Sequence, residues 1–163
     1  MTYQLKITLA DSEPEVWRRV LVADDIRLPE LHSVIQQVMG WENLHDHRFT
    51  LSIGQAPLKV DQPLSEVVAL TKTLYYTYDF QSGWLHRLEI ESTDAETPEK
   101  LPVCTGGEAA CPPEETGGVW GYDELLARLE NTDDPDYIEL IDKYGSFDPD
   151  AFDLNAANQR LSA

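Results

Sequence analysis

The side chains with the strongest claim to chemistry are four histidines and two cysteines. His45 and His47 stand two apart in HDHRF, at the mouth of an alternating apolar run, and His86 opens a second such run in LHRLEIE. Imidazole nitrogens suit zinc or a similar divalent metal, and Asp46, Asp79 or Glu114 could add a carboxylate oxygen. A metal site on His45, His47 and His86 would make a metal-dependent hydrolase, with a divalent metal as the one cofactor this chemistry suggests. Cys104 and Cys111 are seven residues apart, wider than the two-to-four spacing of structural zinc sites. A thiol with a histidine and an acid would make a thiol hydrolase, but acidic surroundings raise a thiol pKa. The bland alternative makes His47 and His86 core-edge histidines, hydrogen-bonded to backbone or to Asp79. His32 sits at the flank of an apolar stripe and reads as a boundary residue. Arg18 or Arg19 could grip an anion, although an arginine beside Trp17 more often stacks at a surface.

Positioning these groups falls to a small set of elements. Leu31, Val34, Ile35, Val38 and Met39 recur at helical spacing, so Leu28–Trp41 is read as a helix with one buried side, opened by Pro29 and stopped at Gly40. Tyr3, Leu5, Ile7 and Leu9 alternate with polar residues, and Val16–Val22 returns as the second arm of a hairpin after the DSEPE turn. Phe49, Leu51 and Ile53 lead a further strand. Leu58–Val60 offers a short one, and LSEVVAL after Pro63 a short helix. Thr73–Phe80 and Leu85–Glu91 form a second hairpin. If the strands carrying His47 and His86 are neighbours, they define a cleft. Asp79, Trp84, Cys104, Cys111 and Glu114 are its candidate lining, and the Gly/Pro-rich stretch Cys104–Tyr122, expected to be an ordered loop, is its lid. Helices are expected at Asp123–Asn131, at Pro135–Tyr144 and near the end. The order predicts an α+β fold: a mixed sheet curled around one main helix, β-grasp-like, followed by the Gly/Pro-rich loop and C-terminal helices.

At 163 residues and 42% hydrophobic content, one domain with a sizeable core is expected. Its parts are a sheet-and-helix core over 1–91, a linker and ordered loop over 92–122, and an acidic helical segment over 123–163 packed on that core. Charge is lopsided. Residues 1–90 carry eight basic and twelve acidic groups, a net of −4, whereas 91–163 carry four and eighteen, a net of −14. Such a field repels phosphate backbones and anionic bilayers, which disfavours duplex nucleic acid and membranes as partners. No signal-peptide pattern or membrane-length apolar run is present, so a cytoplasmic protein with reduced thiols is expected. A protein partner for an interaction or adaptor module is then the leading functional expectation.

Several motifs together resemble the plasmid pRiA4b ORF-3-like family. They are VWRRV, LHSVIQQVMGW running into HDHRF, YDF followed by Trp84 and His86, CPPEETGGVWGY, and FDPDAFD. The resemblance implies an α+β domain in a bacterial or archaeal setting. Some relatives travel on mobile elements and are labelled resolvases, so a mobile-element accessory role is a further alternative. No activity, cofactor or catalytic residue is implied. The chain departs from the family pattern where Gln81, Ser82 and Gly83 replace a Gly-Asp, and where Thr116 stands in place of a cysteine. Each departure removes a candidate ligand.

Overall fold

The computed structural model describes residues 1–162. Alternation in the first segment gives strand β1 (Thr2–Leu9), whose Leu5, Ile7 and Leu9 are fully buried. It pairs antiparallel with β2 (Trp17–Ala23). Helix α1 (Leu28–Met39) follows, then β3 (His47–Thr50), a short α2 (Leu64–Val68), β4 (Thr73–Tyr78) and the long β5 (Trp84–Ala95). Next come β6 (Val103–Glu108), a 3₁₀ turn over Glu114–Thr116, and helices α3 (Gly118–Leu129), α4 (Tyr137–Tyr144) and α5 (Leu154–Ser162). One six-stranded sheet results, in the order β3-β4-β5-β1-β2-β6. The α+β class holds, but every pairing is antiparallel, so the sheet is not mixed. The fold is not identified with a β-grasp. Leu58–Val60 forms no strand, although the Leu58 amide donates to the Phe49 carbonyl at 2.8 Å.

Helix α1 lays Leu31, Val34, Ile35, Val38 and Met39 on the sheet, where Tyr76, Leu88, Leu5 and Val20 join the same core. Its C-terminal carbonyls, which no helix can satisfy internally, are met one by one. Gly40, in the left-handed region at φ 107°, and Trp41 both donate backbone N–H to the Gln36 carbonyl. The Gln37 carbonyl accepts from Arg160 Nε and the Val38 carbonyl from Arg18 Nε, at 2.8 Å for Arg18. Arg18 is 2% exposed. That corrects the surface, anion-gripping reading of this residue. Arg19, on the opposite face, pairs with Glu91 at 2.7 Å and lies over Trp17.

The stretch expected to be one ordered loop is partly regular. Its start is β6, paired with β2, and its end already belongs to α3. Gly107 of β6 serves close approach: a Cβ there would fall 2.8 Å from the Trp17 carbonyl and 2.9 Å from Phe152. The outer edge of β6 is covered by α5. Asn158 accepts from the Cys104 amide at 2.8 Å and donates to the Cys104 carbonyl at 2.9 Å, as a neighbouring strand would. An open edge invites pairing with other chains. Asn158→Ala is therefore expected to cost about 1–3 kcal/mol in urea unfolding, from two backbone groups left unpaired. It should also raise concentration-dependent association in sedimentation.

Candidate functional site

Strand β4 lies between β3 and β5, so the strands bearing His47 and His86 are not neighbours. Tyr76 stands between them, with ring centroids 5.7 Å from His47 and 5.0 Å from His86. His47 instead stacks on His32 of α1, at 3.6 Å and an interplanar angle of 7°.

His32 is no boundary residue. It is 8% exposed and belongs to a closed hydrogen-bond ring. Gln36 Nε2 donates to the Tyr76 hydroxyl at 2.8 Å, and that hydroxyl donates to His32 Nδ1 at 2.7 Å. His32 Nε2 donates to Asn43 Oδ1 at 2.9 Å, and the Asn43 amide returns to Gln36 Oε1 at 2.9 Å. Because Asn43 Oδ1 can only accept, the ring proton sits on Nε2 and the imidazole is neutral. A signal for this was present in the sequence. His32 and Gln36 are four apart and flank Leu31 and Ile35, so two polar side chains were bound to face the sheet and need partners there.

His86 is fully buried and equally committed. Its Nε2 accepts from Trp41 Nε1 at 3.0 Å, so the proton lies on Nδ1, which points at the Tyr76 carbonyl 3.1 Å away. Burial pushes the pKa of His86 down to about 4. Burial, then the neighbouring His32, pushes His47 down to about 4 as well, and burial lowers His32. Burial raises the Tyr76 hydroxyl far above its ordinary value and Tyr78 to about 12.

The other nominated residues fall into separate neighbourhoods. His45 is exposed, with Nε2 3.7 Å from an Asp79 carboxylate oxygen. Asp79, in the β4–β5 turn at φ 59°, accepts from the Ser82 hydroxyl at 2.7 Å and the Gln81 amide at 3.3 Å. Trp84 is fully buried against Trp41, with centroids 4.9 Å apart. Glu114 closes over this cluster from the loop, its Oε1 accepting from the Tyr78 hydroxyl and the Glu42 amide, each at 2.8 Å. Cys111 shares a cavity of about 310 Å³ with Gly40, Glu114 and Phe147. Cys104 lies apart, in β6. Burial raises both thiols, so neither is an activated nucleophile. Among the described residues no three His, Cys, Asp or Glu side chains group to hold a metal. The arrangement is an aromatic and imidazole core whose imidazoles are cross-bonded or stacked, with the Glu114 carboxylate over it; Trp84 Nε1 and Glu114 Oε2 are buried without a partner among the described residues.

Proteins of the same build are known. The crystal structure of MM3350, a protein of unknown function from Methanosarcina mazei, superposes with a TM-score of 0.84 at 30% identity, covering 94% of this chain and 96% of that one. The uncharacterised protein y4hQ of Sinorhizobium fredii is 36% identical over 168 residues, which span 95% of this chain and 85% of that protein. The motifs that frame the cluster, from VWRRV through HDHRF to FDPDAFD, all lie within residues 1–156, which match the model of the plasmid pRiA4b ORF-3-like proteins, and the chain belongs to that family.

Proposed function

We propose that this chain is a non-enzymatic interaction module whose partner is a protein. The observation that carries the reading is the state of the polar interior. His32 and His86 each spend both ring nitrogens on internal partners, and His47 is stacked and held neutral. General acid–base or ligand chemistry needs a group with a free site near a substrate. Large apolar side chains, by contrast, stand outside, Trp120 at 87% and Ile138 at 83% exposure. Lone exposed apolar residues are ordinary, but these two stand on the successive helices α3 and α4, and tryptophan is enriched at interfaces.

The family relatives are uncharacterised, and nothing points to catalysis. Neither the metal-dependent hydrolase nor the mobile-element accessory role is favoured. The net of −14 over residues 91–163 works against a duplex DNA partner or an anionic membrane. No helix among the described residues is long and apolar enough to cross a membrane. The free thiols of Cys104 and Cys111 suit a reducing, cytoplasmic setting.

The test is calorimetric titration of chelator-treated protein with Zn²⁺ and Mn²⁺. No stoichiometric binding is expected, and His47→Ala should cost only about 1 kcal/mol of stability, from the lost ring stacking. A one-to-one isotherm that His47→Ala abolishes would overturn the proposal in favour of the metal site.

A further inference from the structure

Resting on the interaction-module reading, we infer that the outer face of the α3–α4 pair is the docking surface and that its occupant is a basic amphipathic helix of a protein partner. Helix α4 spaces Tyr137, Leu140, Ile141 and Tyr144 for one apolar side, yet buries none of its residues. It is held at its end by Glu115, which accepts from the Tyr144 hydroxyl at 2.8 Å and pairs with Lys143 at 3.6 Å. Between α3 and α4 runs a groove of about 230 Å³, walled by Gly121, Leu125, Leu140 and Tyr144 and lined also by Thr116, Glu124 and Arg128, whose charge is taken up by Asp134 and Asp136. Trp120 lies one helical turn before Glu124, which sets the exposed indole at the groove mouth. On the other wall Ile141, next to Leu140, is 38% exposed, whereas Ile138 lies about 200° round the helix from Leu140, off the groove.

Charge selects the occupant. Residues 118–144 hold eight carboxylates and two cations. Both cations are spent: Arg128 on Asp134 and Asp136, and Lys143 on Glu115. Among the described residues, Asp123, Glu124, Glu130, Asp133, Glu139 and Asp142 have no ion-pair partner. An apolar groove on two helices this rich in unpaired carboxylates, with Glu124 in its lining, is the complement of a helix with leucines on one side and lysines or arginines on the other. A second copy of this chain would present the same acidic face and is repelled. Anionic lipid and duplex DNA are repelled by the same field.

The experiment is fluorescence anisotropy of a labelled 14-residue Lys/Leu peptide with leucines at helical spacing, titrated with the intact protein at about 0.15 M salt, where surface charges are screened beyond roughly 8 Å. Saturable binding is expected, at least tenfold weaker for a leucine-free lysine peptide and undetectable for a Glu/Leu peptide. The double variant W120S/I141S should weaken binding tenfold or more. V60S, at a residue equally exposed but far along the chain, should leave it within twofold. Both variants alter exposed side chains, and circular dichroism verifies that they are folded. Absence of binding, equal binding of the leucine-free peptide, or indifference to W120S/I141S would each overturn the surface assignment. Those results leave the module reading standing, because that reading falls only to stoichiometric metal binding lost in His47→Ala.

Discussion

Lowering the pH from 7 to 4.5 is expected to weaken the folded state by several kcal/mol, with His86 the largest single source. The sign follows from the direction of the shifts. An unfolded histidine titrates near 6.5, whereas His86 and His47 titrate at about 4 in the folded chain and His32 is also lowered. Above about pH 6.5 both states are neutral at these positions, and stability does not depend on them. Below that, the unfolded chain takes up protons that the folded chain refuses, so stability falls until about pH 4, where the folded rings protonate too. A gap of this size at His86 amounts to on the order of 3 kcal/mol. His47, only half-buried, contributes less, since solvent screens it.

Geometry explains why the rings resist. A proton on His86 Nε2 would face the Trp41 N–H at 3.0 Å, donor against donor. A proton on His32 Nδ1 would take the acceptor that the Tyr76 hydroxyl now uses, and a charged His47 would lie 3.6 Å over it. One effect opposes this loss: acidification relieves the self-repulsion of a chain at −18. Screening in about 0.5 M salt suppresses that contribution and leaves the buried rings. Urea midpoints at pH 7, 6, 5 and 4.5 in such salt, together with imidazole NMR shifts, read the effect. A flat midpoint over this range would show that the network is not held neutral.

How much of this was legible in the sequence depended on whether neighbours along the chain or neighbours in space decided the matter. Helix α1 was legible because its stripe and its glycine stop are local, and it runs from Leu28 to Met39 against the expected Leu28–Trp41. The two hairpins were legible for the same reason. Strand β6 was not. Its CTGGE core has no alternation to see, and it is a strand because β2 offers a free edge, Phe152 needs a Cβ-free surface, and Asn158 closes the far side. His32 reads locally as a boundary residue, and its role depends on Gln36, Asn43 and Tyr76, which reach it only after folding. His45 and Asp79 do meet, as loop neighbours at 3.7 Å, away from the buried rings.

Arg18 is where local reading failed most, and its removal is expected to cost the fold about as much as acid does. The guanidinium is 2% exposed with no carboxylate partner among the described residues, and burial lowers its pKa to about 10. Replacing a buried charge by a hydrophobe of similar size is often neutral or stabilising, because the desolvation cost disappears with the charge. Arg18→Met should behave otherwise. Its partners are backbone carbonyls that stay when the side chain goes: Val38 at 2.8 Å, Trp17 at 2.8 Å and Glu108 at 3.0 Å. Each carbonyl left bare costs about 1–3 kcal/mol, and the one at the end of α1 also loses a favourable charge against the helix dipole. A net loss of about 3–5 kcal/mol is expected by urea unfolding at pH 7, with Arg18→Lys recovering a minor part, since one ammonium cannot span three carbonyls.

The loss should not be uniform. Arg18 ties β2 to α1, to β6 and, through its stacking at 4.2 Å over Phe152, to the segment that leads into α5. Faster hydrogen exchange is therefore expected in β6 and α5, ahead of β4 and β5. If Arg18→Met is as stable as the parent, the desolvation cost of the cation outweighs its carbonyl bonds, and the α1 terminus is held by Gly40 and Arg160 alone.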